Sequence, residues 1–132
     1  MNKQSLFGGA LLCAALHGAS AQPMDGKALF QKNCAACHQA NGKGIPGAFP
    51  ALAGNALLQG APAEAATVLL KGRGGMPDFS ASLSDADIAQ VLSYARGSWG
   101  NKAGIVSDTE VAALRAALQV PQAGSGRLSN KH

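Results

Sequence analysis

The sequence predicts a small all-α domain of helices joined by long Gly/Pro loops. Three observations predict it. Apolar residues recur at the i, i+3, i+4, i+7 spacing of a helix, and no stretch alternates convincingly as a strand would. Helix start and stop residues bracket those stretches in turn. The connecting loops hold more Gly and Pro than a plain helical bundle needs.

Each element follows from local signals. Asp25 can cap a first helix running to about Ala36, with Gly26 and Phe30 four apart on one face. Residues 41–50 form a loop dense in Gly and Pro, and a short helix is expected over Gly54–Gln59. Pro62 suits the first turn of another helix, which reaches Leu70 and stops at Gly72. Gly72-Arg-Gly-Gly-Met-Pro77 then reads as irregular loop. Ser84, with Asp87 three residues on, opens the clearest helix, whose stripe is Ile88, Val91, Leu92 and Ala95. Gly97 and Gly100 stop it around Trp99. Ser107 and Glu110 make a capping box for a last helix from Asp108 to about Gln119. From Pro121 a polar tail is expected to be disordered.

Cys34-Ala-Ala-Cys37-His38 carries the chemistry. The spacing C-x-x-C-H is that of covalent haem attachment. Two thiols can add to the two vinyl groups on one porphyrin edge, and the adjacent imidazole can then coordinate the iron. A dithiol redox motif shares C-x-x-C, but it wants an apolar strand before it and a βαβ frame around it. The segment before Cys34 is polar and helix-like, with no β-branched residue. A structural zinc site wants four ligands, and beyond the motif the expected mature chain offers only His132 as a further His or Cys. Haem is therefore the expected cofactor, one haem c per chain, held covalently. Helices and Gly/Pro loops wrapped around that haem complete the fold expectation.

The chain's start fits an exported haem protein. Lys3, an apolar run from Leu6 to Leu16 and Ala19-Ser-Ala21 make a secretory signal peptide, residues 1–21. The run is shorter than the ~20 residues a membrane span needs, so no stable span is expected. Cys13 and His17 leave with it. The mature chain keeps ten Lys plus Arg against seven Asp plus Glu, scattered along it. With no basic run and 5% aromatic residues, nucleic-acid binding has no footprint. One domain, residues 22–120, is the natural count, followed by the tail at 121–132.

With C-x-x-C-H near the mature N-terminus and Gly75-Met76-Pro77 some forty residues later, the chain resembles class I monohaem cytochromes c. In that family a Gly and an aromatic on the first helix meet an aliphatic and an aromatic on a later one. Gly26, Phe30, Val91 and Tyr94 stand at matching positions. The resemblance implies that Met76 is the sixth iron ligand beside His38. A soft, neutral thioether there favours ferrous iron and raises the potential. It implies that the Pro50 carbonyl accepts from the His38 ring, orienting it, and that Leu52 packs on the haem. Trp99 is read two ways, as a haem-propionate donor or as a core aromatic sealing its helix. Arg73 is set aside as a solvated loop charge. Tyr94 to Asn101 is similar to the closing stretch of monohaem subunits serving periplasmic dehydrogenases and nitrite reductases.

These readings describe a periplasmic one-electron carrier rather than an enzyme. Its expected partners are redox proteins: a periplasmic dehydrogenase or reductase on one side and a terminal oxidase on the other. It would act as a monomer or as a subunit of an oxidoreductase complex. The alternative is small-ligand binding or redox catalysis at an open iron position. His38 plus Met76 would fill both axial positions and so favours the carrier.

Overall fold

The structure is a computed structural model that describes residues 24–124; the expected leader and residues 125–132 of the expected tail lie outside the described residues. Six helices run in chain order among the described residues: α1 Gly26–Asn33, α2 Ala35–His38, α3 Ala56–Gln59, α4 Pro62–Lys71, α5 Asp85–Arg96 and α6 Asp108–Ala117. Among the described residues no strand forms, only two isolated antiparallel bridges, Ile45 with Phe49 and Arg73 with Met76. The fold is all-α.

Local chemistry explains the boundaries. The Asp25 carboxylate accepts from the Ala28 N–H at 2.8 Å and starts α1. The single helix expected to Ala36 is split at Cys34, whose φ of −124° leaves the helical well. The ladder continues across the break: Cys34 N–H donates to Phe30, and the Cys34 carbonyl accepts from His38 N–H at 2.9 Å. The third helix starts later than Gly54, because Gly54 has φ +70° and Asn55 is the cap, accepting from Leu57 and Leu58. Pro62 opens α4 as expected, and Gly72 ends it with φ +73°. The expected capping box of Ser107 with Glu110 forms, and Ser84, expected as a helix start, makes a second one with Asp87. Two other ends come early: α5 stops at Arg96, and α6 stops at Ala117, with Gln119 at φ +55°.

The core gathers Leu29, Phe30, Leu69, Leu70, Ile88, Val91, Leu92 and Val111 from α1, α4, α5 and α6. Gly26 sets how closely α1 lies on α5. A Cβ added there would collide with the Gln90 carbonyl oxygen and sit 2.8 Å from Tyr94 Cβ. Arg115 is fully buried on α6. Its guanidinium donates to Asp85 Oδ1 at 2.6 Å and to the carbonyls of Ser80, Leu83 and Pro121. Pro121, placed in the tail from the sequence, is therefore tied to the domain.

Candidate haem site

A cavity of about 540 Å³ is walled by α1 to α5 and by both Gly/Pro loops. Cys34, Cys37, His38, Pro50, Leu52 and Met76 all line it. Phe30, Leu58, Leu69, Val91 and Leu92 make much of the remaining wall apolar. Its size suits a bound organic group.

His38 ends α2 and is buried, 7% exposed. Its Nδ1–H donates to the Pro50 carbonyl at 2.9 Å. That bond commits Nδ1 as the protonated nitrogen and leaves the Nε2 lone pair free to act as a ligand. Gly44 lets the loop close this way. It has φ +63°, and a Cβ there would lie 2.6 Å from the Pro50 carbonyl oxygen. Cys34 and Cys37 are both free thiols. Before haem is attached, burial, with Cys37 beside it, pushes the Cys34 thiol up to about 11.

Met76 rests in a regular structure where irregular loop was expected. Arg73 and Met76 exchange both backbone hydrogen bonds, N–H to carbonyl at 3.1 and 3.0 Å. Gly74, first of the two central residues, has φ +58°, as a two-residue hairpin with glycine leading requires. Two glycines in this loop thus have definite duties: Gly74 makes the turn, and Gly72 ends α4 with its Cα facing the Met76 carbonyl.

Trp99 does not line the cavity. Its Nε1–H donates to the Ala40 carbonyl at 3.0 Å, and its ring packs on Phe30 and Tyr94 at centroid distances of 4.9 and 5.7 Å. These contacts are those of the core-aromatic reading of Trp99, which packs against the hydrophobic cluster. Arg73, set aside from the sequence, does line the cavity and is exposed at its rim. Asn55 and Phe79 also line it. Asn55 carries only a helix-cap signal in the sequence, and Phe79 reaches the wall because its N–H binds the Leu69 carbonyl at 2.7 Å.

The donor set fits a haem: an apolar cavity, two thiols three residues apart, an imidazole with a free Nε2, and a thioether. Such a set defines a c-type haem protein. Comparison with known proteins agrees. A family model described as cytochrome c oxidase, cbb3-type, subunit III, matches residues 21–94. Cytochrome c-552 of Thermus thermophilus is 34% identical over 128 residues, 81% of this chain and 85% of that protein. The chain belongs to the cytochrome c family.

The cytochrome c subunit of the quinone alcohol dehydrogenase of Gluconacetobacter polyoxogenes is 37% identical over 99 residues, 65% of this chain. The match spans only 21% of that subunit's length. A solved cytochrome c6 from the diatom Phaeodactylum tricornutum has a TM-score of 0.48 and 32% identity, covering 56% of this chain and 90% of that one. As a member of the family, the chain binds haem c covalently and transfers electrons through it. No helix among the described residues is long and apolar enough to cross a membrane.

Proposed function

We propose that this chain is a periplasmic one-electron carrier, with haem c held by Cys34 and Cys37 and ligated by His38 and Met76. The observation that carries the reading is that all four side chains line one apolar cavity while Pro50 holds the far nitrogen of His38. Bound there, haem supplies a reversible one-electron couple at its iron. The protein's part is to hold, orient and keep water away. The thiols fix one porphyrin edge. Pro50 orients the His38 ring and raises its basicity. Leu52, Leu69 and Val91 keep the site apolar, and Met76 favours the reduced state. With both axial positions filled by side chains, no iron position is left for a substrate, which supports a carrier and not an enzyme.

The leader pattern supports export to the periplasm. The names of the relatives, a dehydrogenase subunit and a cbb3-type oxidase subunit, support redox proteins as partners on either side. We take the chain to be a monomer or a subunit of such a complex. A redox titration tests the ligation. A single one-electron wave with no carbon monoxide binding to the reduced protein is expected. Rapid carbon monoxide binding at neutral pH would mean an open iron position and overturn the His38/Met76 assignment.

A further inference from the structure

The stretch just beyond α5 does something its sequence does not announce. Asn101 is buried, 3% exposed, and its amide is almost fully used. Nδ2 donates to the Leu52 carbonyl at 2.9 Å and to the Ala95 carbonyl at 3.0 Å, while Oδ1 accepts from Gly54 N–H at 2.8 Å. Two residues earlier, Trp99 takes the Ala40 carbonyl, and its ring lies so close over Gly42 that a Cβ there would be 2.5 Å from Cδ2. Trp99 has φ +54°, a conformation that a bulky residue adopts only when its surroundings hold it. Together the two side chains grip the loop after His38 at both ends. Within the loop, Leu52 N–H and Ala53 N–H both donate to the Gly42 carbonyl, at 2.7 and 3.0 Å, closing it on itself. Pro50, which receives the His38 ring, lies between the gripped points.

We propose that Asn101, assisted by Trp99, is a positioning residue for His38: it fixes the Pro50 carbonyl against Nδ1–H and so sets the donor strength of the imidazole. Asn101 touches neither the cavity nor His38; it acts through the Leu52–Gly54 backbone. The inference rests on His38 being an iron ligand. Loosening the loop would lengthen the His38–Pro50 bond, make the imidazole a weaker donor, stabilise ferric iron less and raise the reduction potential.

The test uses the holoprotein, as wild type, Asn101→Ala, Asn101→Asp and Ser107→Ala. Asn101→Asp keeps the shape and the Gly54 bond but has no proton for the Leu52 and Ala95 carbonyls. Ser107→Ala removes the cap of α6, whose side-chain bonds go to Glu110 and not to the loop, and serves as a control for general destabilisation. Hydrogen exchange of the His38 Nδ1 proton, read by NMR on the reduced protein, and the midpoint potential are both measured. Both Asn101 variants are expected to exchange that proton about tenfold faster or more, with a raised potential. Ser107→Ala is expected to lower the denaturation midpoint and leave both readouts alone. Wild-type exchange and potential in both Asn101 variants, or equal changes in Ser107→Ala, would overturn the proposal while leaving the ligation intact. A wild-type protein lacking a His38–iron bond would overturn the ligation, and this inference with it.

Discussion

Met76 is presented by a turn only four residues long, and the turn's chemistry dictates what its replacement should do. Arg73 and Met76 pair through their backbones, so Met76→Ala keeps the hairpin and removes only the thioether. The variant is expected to bind cyanide readily when oxidised, to lose the methionine–iron absorption band and to have a lower potential, because water or another hard ligand stabilises ferric iron. Retention of both the band and the potential would show that another group is the ligand. Which residues meet at the cavity was legible in proportion to how local their signal was. C-x-x-C-H announces itself, and Gly-Met-Pro announces Met76 once the family is seen. Trp99 was ambiguous, because an indole N–H can serve a propionate or a carbonyl, and its bond to Ala40 depends on a loop nearly sixty residues away in sequence. Arg115 was not legible at all: a charge in the last turn of a helix looks solvated until Asp85, Ser80, Leu83 and Pro121 close around it.

At the scale of elements, the α1–α5 contact is the tightest test. Gly26→Val would force a branched side chain against the Gln90 carbonyl, which cannot rotate away as a side chain might. Overpacking of this kind costs about 1–3 kcal/mol, so the denaturation midpoint should fall; an unchanged midpoint would contradict the contact. The α6 capping box gives a pH test. Hydrogen bonds from the Ser107 N–H and hydroxyl hold the Glu110 carboxyl below its ordinary value. A lowered folded-state pKa means that its contribution is present above the ordinary glutamate range and fades as pH falls through the lowered one. Wild type should therefore be more stable than Glu110→Gln at neutral pH, and the gap in thermal midpoint should close in acid. A gap that stays constant with pH would remove the charge from the account.

Four helix starts were readable because capping is a three-residue affair, whereas the third helix, capped by Asn55, starts two residues later than expected. Asp25, Pro62, Ser84 and Ser107 all stand where expected. The Cys34 break, the early ends of α5 and α6 and the Arg73–Met76 hairpin were not. Each is set by backbone geometry that apolar periodicity does not register.

At the scale of the whole molecule, Ala36, Ile45, Pro46, Ala48 and Pro77 are exposed and Ala35 half-buried, and of these Ala48 and Pro77 line the cavity. Charges are few and scattered, so long-range steering should contribute little and a docking interface should be small. Electron-transfer rates with a redox partner are expected to change only modestly as salt rises by a few hundred millimolar, and to fall in Ala36→Asp or Ile45→Asp. A steep salt dependence with no response to either substitution would put docking elsewhere. The all-α class was legible because the helices carry it. How the loops fold was not, since Asn101 reaches Leu52 and Gly54 across nearly fifty residues of sequence.

If Cys34 and Cys37 hold one haem through carbon–sulfur bonds, acid-acetone extraction will leave it in place. Haem is expected to stay with the polypeptide, the pyridine haemochrome spectrum to be of c type with one haem per chain, and Cys34→Ala with Cys37→Ala to abolish retention. Haem that extracts freely from the wild-type protein, or more than one haem per chain, would contradict that attachment.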